Sequence, residues 1–565
     1  MATTASRLRA ERARRRRLAR AREKERKRLA ACRKKARRRG TSLAACKTPT
    51  AKKTPASTTP AKPAKPAIGA RPAPTLPSIV VPSKPVAGPA APSPAQPVSP
   101  PVVPIGPDVP TPATPTAPTT PWGPVTFGRA QATRLLWRAG FGPRPGDIDR
   151  LLALGLDGAV ESLLSPGPAT LSGPAPRTQT GRTLDPANQW GDDQLWWLDR
   201  MVRSDQPLVE RMTLVWHDWF ATSRNKVNSA VAMLAQNATM RDGALGSFPD
   251  LLKAITRDPA MLAYLDGYDN RRGHVNENYG REVMELFTLG TGRGAYTEQD
   301  VREISRAFTG LTVVNNPDAS FSSTFVPGNA DTASKTIFGK TGAFDWQDAC
   351  RLLVEHEQHP SFFVAKLWAA FVPTPPDAAT QAELQRIYLA NDRQIKPVLR
   401  AILSHPDLHH GQAMVKPPAV FIAGLLRALN RGIDVDYWSW ILDLCGQVLF
   451  SPPNVSGWDD TRWMNSATWR GRFSAVAVAI DPLALVPWAA DVVQSVTETP
   501  EAAVDRALAF WGNPPITADN RETLIHHAQE AALTPTTLSW PRPGLALRQN
   551  GLRLLVGSSS DAQTS

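Results

Sequence analysis

The stretch Pro207-Leu208-Val209-Glu210-Arg211-Met212-Thr213-Leu214-Val215-Trp216-His217-Asp218-Trp219-Phe220-Ala221 decides the fold class. Met212, Val215, Trp216, Trp219 and Phe220 recur at three- and four-residue spacing, so at about 100° per residue they make one apolar stripe. That is the pattern of an amphipathic helix laid on a core, with Glu210, Thr213 and His217 on the other face. The same period runs outward through 126–138, 145–154, 189–203, 248–265, 277–289, 298–309, 346–371, 380–403, 417–429, 436–449, 500–511 and 517–532. Local punctuation agrees: Thr297 with Asp300 is a capping-box start, and Asp258-Pro259 places proline at a first helical position. Only 321–338, two short β-prone runs around Pro327-Gly328-Asn329, reads as a hairpin. The expected fold is mainly α, a multi-helix globular body with at most a short β-hairpin, and no fixed-period repeat points to a solenoid.

Upstream of this body the composition changes twice. The chain has 565 residues and a formal charge of +16, but residues 1–53 hold 22 Lys and Arg against 3 Asp and Glu. The remainder is slightly acidic, so the basic balance belongs to a polybasic head, disordered or helical. Residues 54–121 contain 22 prolines, which forbid a packed element and favour an extended, semi-rigid spacer. The expected organisation is therefore head 1–53, Pro/Ala-rich linker 54–121, helical body 122–556 and a frayed, disordered tail over 557–565. The head can engage an anionic polymer or surface, or nucleic acid without sequence preference, since phosphate or carboxylate attraction needs no code; the competing reading is a solubilising tail. No apolar run is long enough for a transmembrane helix or a secretory signal. Leu43-Ala44-Ala45-Cys46 has the look of a lipoprotein cleavage box but lacks the apolar segment before it. The four cysteines, Cys32, Cys46, Cys350 and Cys445, show neither disulfide-framework nor zinc spacing.

A set of ordered motifs carries a family resemblance. RLLWRAGFGPRPGDIDRLLALG from Arg134, ERMTLVWHDWFATS from Glu210, DPAMLAYLDGYDNRRG from Asp258 and NENYGREVMELFTLGTG from Asn276 come first. YTEQDVREISRAFTGL from Tyr296, HPSFFVAKLWAAFV from His359, KPPAVFIAGLLRAL from Lys416 and GQVLFSPPNVSGWDDTRWMNSATWRGRF from Gly446 follow. Over about 130–475 the chain resembles the bacterial family known as domain of unknown function 1800. The resemblance implies a mostly helical protein, often exported, with no common activity. Two positions depart from the family pattern: Trp219 stands where a second histidine is usual after His217, and Ala330-Asp331 where a His-Asp pair is usual. No histidine-based metal site is therefore expected, and no cofactor is indicated.

The candidate site residues fall in two groups. Glu277, Arg281 and Glu285 form an exposed i, i+4, i+8 charge ladder. Glu282 instead borders the apolar stripe of Tyr279, Val283, Leu286 and Phe287, with Asn278 one turn before it. A carboxylate so placed is partly desolvated and needs either a structural partner or a function. Glu282, Asn278 and His217 are accordingly the candidates for a hydrolase-like site, against the plainer reading of structural groups. His356-x-x-His359 has helical spacing, but Pro360 follows, so His359 is expected to close a helix. The second group, Asn454, Trp458, Asp459 and Trp463, lies in a polar-aromatic loop. Such a loop suits sugar binding through ring faces and carboxamides, or else folds back to plug the bundle. No nucleophile elbow, phosphate-binding loop or dinucleotide fingerprint is present. The leading expectation is an accessory or polymer-binding protein of the cell envelope with a polybasic tether; a hydrolase-like enzyme and a nucleic-acid-tethered protein are the alternatives.

Overall fold

The computed structural model describes residues 121–316, 321–481, 498–533 and 543–565. The basic head, the linker before Pro121 and the Leu-Ala-Ala-Cys segment lie outside the described residues. Twenty-two helices and two small antiparallel sheets make up the rest, so the chain is mainly helical. No helix among the described residues is long and apolar enough to cross a membrane.

Several long periodic stretches are broken by their own local chemistry. The expected 248–265 helix is two, Phe248–Thr256 and Pro259–Tyr264, because Asp258 turns extended and its carboxylate caps the Met261 N–H at 3.0 Å. Likewise 346–371 divides into Trp346–Glu355 and His359–Ala369. Pro360 sits in the first turn of the second helix, so His359 opens that helix rather than closing the previous one. In place of 145–154 the helix runs Asp147–Leu164, kinked at Gly155, whose φ is 66°.

The expected hairpin is replaced by two others. Phe321–Phe325 pairs with Leu311–Asn315, and Lys335–Ile337 pairs with Lys340–Gly342, while Pro327–Asn329 forms a 3₁₀ turn. The tight turn between the second pair needs positive φ at both central residues, supplied by Phe338 at 49° and Gly339 at 74°. Proline, held near φ −65°, cannot do this. The β-branched Thr312-Val313-Val314 run, next in the chain, gives Phe321–Phe325 its partner.

The residues expected to fray, Ser558 to Ser565, are held in place. Ser560–Gln563 is a helical turn, Gln563 O accepts from Lys416 N, and Ser565 exchanges two backbone hydrogen bonds with Met414. The buried Arg138 guanidinium donates to Ser565 O, Gln412 O and Phe371 O, so this end of the chain closes the fold.

One continuous core fills the body, with Trp197, Trp216, Trp219, Trp368 and Trp438 fully buried. The Pro207–Trp219 helix threads through it, and its expected polar face is buried as well: Glu210 is 1% exposed, and Thr213 and His217 are fully enclosed. Burying a polar group is costly unless it is satisfied, and two of these three are. Glu210 accepts from Arg200 at 3.0 Å and from two nitrogens of Arg241 at 2.8 and 2.9 Å, while Thr213 donates to Val209 O.

The helix that begins at Asn278 changes character after one turn. Asn278–Glu282 is α, but Val283–Thr288 winds as a π-helix. Its last carbonyls are taken by side chains from other helices: Leu286 O by Lys366 Nζ at 2.8 Å, Phe287 O by Trp219 Nε1 at 3.0 Å and Thr288 O by His359 Nδ1 at 2.9 Å. Such insertions trade a regular ladder for outward-directed carbonyls and concentrate at functional sites.

Candidate functional site

Arg211, Leu214, Val215 and Asp218 are spaced i, i+3, i+4, i+7 and share one face of the Pro207–Trp219 helix. With Lys366, Ala369 and Ala370 of the neighbouring helix, and Trp458, Asp460 and Trp463 of the polar-aromatic loop, they line a cleft of about 230 Å³. Met414 and Pro417 form one wall. Trp219 closes the floor, its indole covered by Lys366 Nζ at 4.5 Å.

The loop is fastened to the helix at one point. Trp458 N donates to Asp218 Oδ1 at 2.7 Å, and the Trp458 indole donates to Val448 O at 3.2 Å. Gly457 makes the approach possible: its φ is +94°, and a Cβ there would stand 2.2 Å from Asp218 Oδ1. Gly457→Ala is therefore expected to lift the loop off the helix and to cost at least the about 1–3 kcal/mol of a forced backbone conformation. A shift in the urea midpoint measures this; an unchanged midpoint would show that the loop tolerates a different path.

Charges in the cleft are incompletely neutralised. Burial pushes the Asp218 carboxyl up to about 6, against the pull of the Trp458 N–H and Lys366. Burial lowers the Lys366 ammonium to about 8, with Asp218 opposing, and Arg211 to about 10. Asp218 has no ion pair within hydrogen-bond reach of either cation among the described residues; they meet only through the field across the cleft. Two residues that line the cleft carry an enclosed donor, Trp463 Nε1 and Arg211 Nε, with no partner among the described residues. The cleft thus combines aromatic faces, uncommitted N–H groups and a carboxylate whose hydrogen bond to Trp458 involves only Oδ1.

The sequence candidates are distributed unevenly around this cleft. Trp458 and Trp463 line it. Asp459 turns away, paired with Arg462 at 2.7 Å and accepting from Thr461, while its neighbour Asp460 faces inward. Asn454 is exposed and folds its own turn by accepting from Ser456 N at 2.8 Å. His217 lies beneath the loop, ringed by Trp197, Phe450 and Trp458 at centroid distances of 5.2, 5.7 and 5.5 Å, with neither ring nitrogen partnered. Burial pulls it down to about 3, so it is a neutral packing group. Glu282 and Asn278 do not line the cleft. Glu282 is partly buried, its carboxyl raised by burial and by Glu285, and Asn278 donates weakly to Asp266 at 3.3 Å. The charge ladder forms as expected, with Glu298 joining Arg281.

The residues sequence reasoning passed over are Asp218, Lys366 and Arg211. Their signal was the i, i+7 spacing of Arg211 and Asp218 on a second helix face. His359, half of the His356-x-x-His359 pair, uses both nitrogens internally, the second with Tyr388 Oη at 3.0 Å. Among the described residues no group of three or more His, Cys, Asp or Glu side chains could hold a metal ion.

Fold and cleft together define a helical scaffold that carries a polar-aromatic loop over a small, mixed-charge cavity. The chain belongs to the family described as protein of unknown function (DUF1800), whose profile matches residues 134–558. No match to the chain is found among curated proteins or among solved structures.

Proposed function

We propose that this chain is a polymer-binding accessory protein of the bacterial cell envelope, and that its cleft holds one sugar-like unit of the polymer. The observation that carries the reading is a cavity walled by the indoles of Trp219, Trp458 and Trp463 with the Asp218 carboxylate in the same lining, and with Trp463 Nε1 and Arg211 Nε unpartnered behind its surface. A buried donor without a partner costs about 1–3 kcal/mol, which a ligand hydroxyl recovers. Sugar hydroxyls both donate and accept, and the C–H face of a sugar ring packs on indole. At about 230 Å³ the cavity is smaller than the roughly 300–1,000 Å³ typical of drug-sized ligands, which fits a single unit of a longer chain. The basic head, on its proline spacer, then adds attraction to an anionic surface and raises the effective concentration of the body there.

Trp463→Phe tests this, because it removes the indole N–H while keeping a smaller aromatic ring at the position. Binding to purified peptidoglycan and to soluble oligosaccharides, followed by tryptophan fluorescence at about 0.5 M salt to screen the head, should weaken about tenfold while the variant stays folded at the assay temperature. Equal binding by the variant, or no saturable binding by the wild-type chain, sinks the reading. Recovery of the protein wholly from the cytosol of its host would remove the envelope assignment.

A second reading, a hydrolase-like enzyme, is favoured by one observation: a carboxyl raised to about 6 keeps a protonated fraction near neutrality and can serve as a general acid. On this reading the reactive group is Asp218 rather than Glu282, Asn278 or His217. Asp218→Asn in the same assay would then retain binding and abolish turnover. Nucleic-acid tethering, the third reading, rests on residues 1–53 alone.

A further inference from the structure

The segment Ala413–Pro417 separates two cavities. Met414 and Pro417 face the tryptophan cleft, whereas Ala413 and Lys416 face a larger cavity of about 490 Å³ on the other side. The walls of that second cavity are mostly carbon: Trp137, Phe421, Leu425, Trp511 and Ile516 are its main surfaces. Trp137 lies so close to the Pro418–Ala428 helix that a Cβ at Gly424 would come within 2.1 Å of its ring.

Two cations, one buried and one half-buried, are set into this apolar wall against a single side-chain carboxylate. Lys416, 4% exposed, places Nζ 3.8 Å from the centroid of the Trp137 ring and donates to Ala562 O at 2.8 Å. Arg134 lines the same cavity and donates to Gly411 O at 2.8 Å. Neither forms an ion pair among the described residues. The one side-chain carboxylate in the wall, Asp561, reaches Lys416 only through its field and accepts from Thr517 N at 2.8 Å, Thr517 Oγ1 at 3.1 Å and Asn520 Nδ2 at 2.9 Å. His409, 3% exposed, uses Nε2 on Leu403 O, so Nε2 carries the proton and the buried Nδ1 has no partner. Burying charge without a counter-ion is costly. A wall with two cations and one side-chain carboxylate keeps an uncompensated positive charge, and next to an unpartnered ring nitrogen and a large apolar volume it is complementary to a molecule that brings one negative charge and a hydrocarbon body.

We propose that this second cavity binds an amphipathic monoanion, an aliphatic chain ending in a single carboxylate-like head, with the head at Lys416 and Arg134 and the chain against Trp137, Phe421 and Trp511. The site is separate from the polymer cleft and does not depend on it. Burial already lowers the Lys416 ammonium to about 7, so the bound anion also restores its charge at neutral pH.

Decanoate is the probe, titrated calorimetrically into the full chain at about 0.5 M salt, where the basic head is screened. Decanol and decyltrimethylammonium, with the same tail and a neutral or opposite head, are the controls. Saturable binding of one decanoate, at least tenfold tighter than decanol and with no binding of the cation, is expected. Lys416→Met should reduce the decanoate affinity to that of decanol. Because Lys416 also ties down Ala562, Ile516→Trp provides the second arm: it fills the cavity from a partly exposed loop and should abolish decanoate binding while leaving oligosaccharide binding intact. Absence of saturable decanoate binding, equal affinity for decanol, or wild-type binding by Ile516→Trp overturns the proposal.

Discussion

Glu210→Ala should destabilise the body by about 3–5 kcal/mol, the range for breaking a buried ion pair from one side. Glu210 is 1% exposed and is the shared acceptor of Arg200 and Arg241, which approach it from two other helices and lie over the Trp196 ring at 5.5 and 5.6 Å. Removing the carboxylate leaves two mostly buried guanidinium groups facing each other without a counter-charge. Glu210→Gln keeps the volume and one acceptor oxygen, so its loss should be smaller. Urea unfolding of the two variants measures both values; a loss under about 1 kcal/mol for the alanine variant would mean that water replaces the carboxylate. Because Arg211 and Asp218 ride on the same helix, the alanine variant should also lose the cleft.

The second large effect is an acid sensitivity traceable to His217. Its folded value of about 3 lies below the ordinary 6.5, so the native state refuses a proton that the unfolded chain accepts. The stability this confers is complete above pH 6.5 and falls as pH drops toward 3, by roughly 1.4 kcal/mol per unit. His359 and His409, lowered to about 4 by burial, act in the same direction. Asp258, raised to about 7, and Asp218, raised to about 6, act oppositely, gaining stability as pH falls. The net slope therefore mixes several groups, and a variant isolates one. His217→Phe should fit the cage of Trp197, Phe450 and Trp458, leave stability at pH 7 nearly unchanged, and be more stable than wild type by roughly 3 kcal/mol at pH 4.5. Parallel pH profiles for the two proteins would show that His217 is protonated in the folded state.

The helical class was legible because it depends on local periodicity. Thr297 caps with Asp300 as its spacing predicts, and Asp258 with Pro259 starts a helix where the pair says one should start. Errors arose where a non-local partner decided the outcome. Phe321–Phe325 is paired by the strand before it, not the one after. The 277–289 period gives no sign of the π turn, because that turn exists to meet Lys366, Trp219 and His359 from two other helices. The short polar run of the tail has no periodic signal, and its order comes from Met414, Lys416 and Arg138.

For the sites the division is similar. Trp458 and Trp463 were visible as an aromatic loop with little helical content. Asp218 was hidden by its neighbour, and Lys366 by an amphipathic pattern in which a lysine looks like a solvent-facing residue. The amino-acid sequence by itself determined a Lys/Arg-rich and then a Pro-rich composition over 1–121, a helical body and its family, since composition and 3.6-residue periodicity are properties of near neighbours along the chain. Only the tertiary structure decided which charges are buried and which face one another. Arg211, Asp218, Lys366 and Trp463 come from segments up to about 250 residues apart, and desolvation, which sets their chemistry, is a property of what the fold places around them.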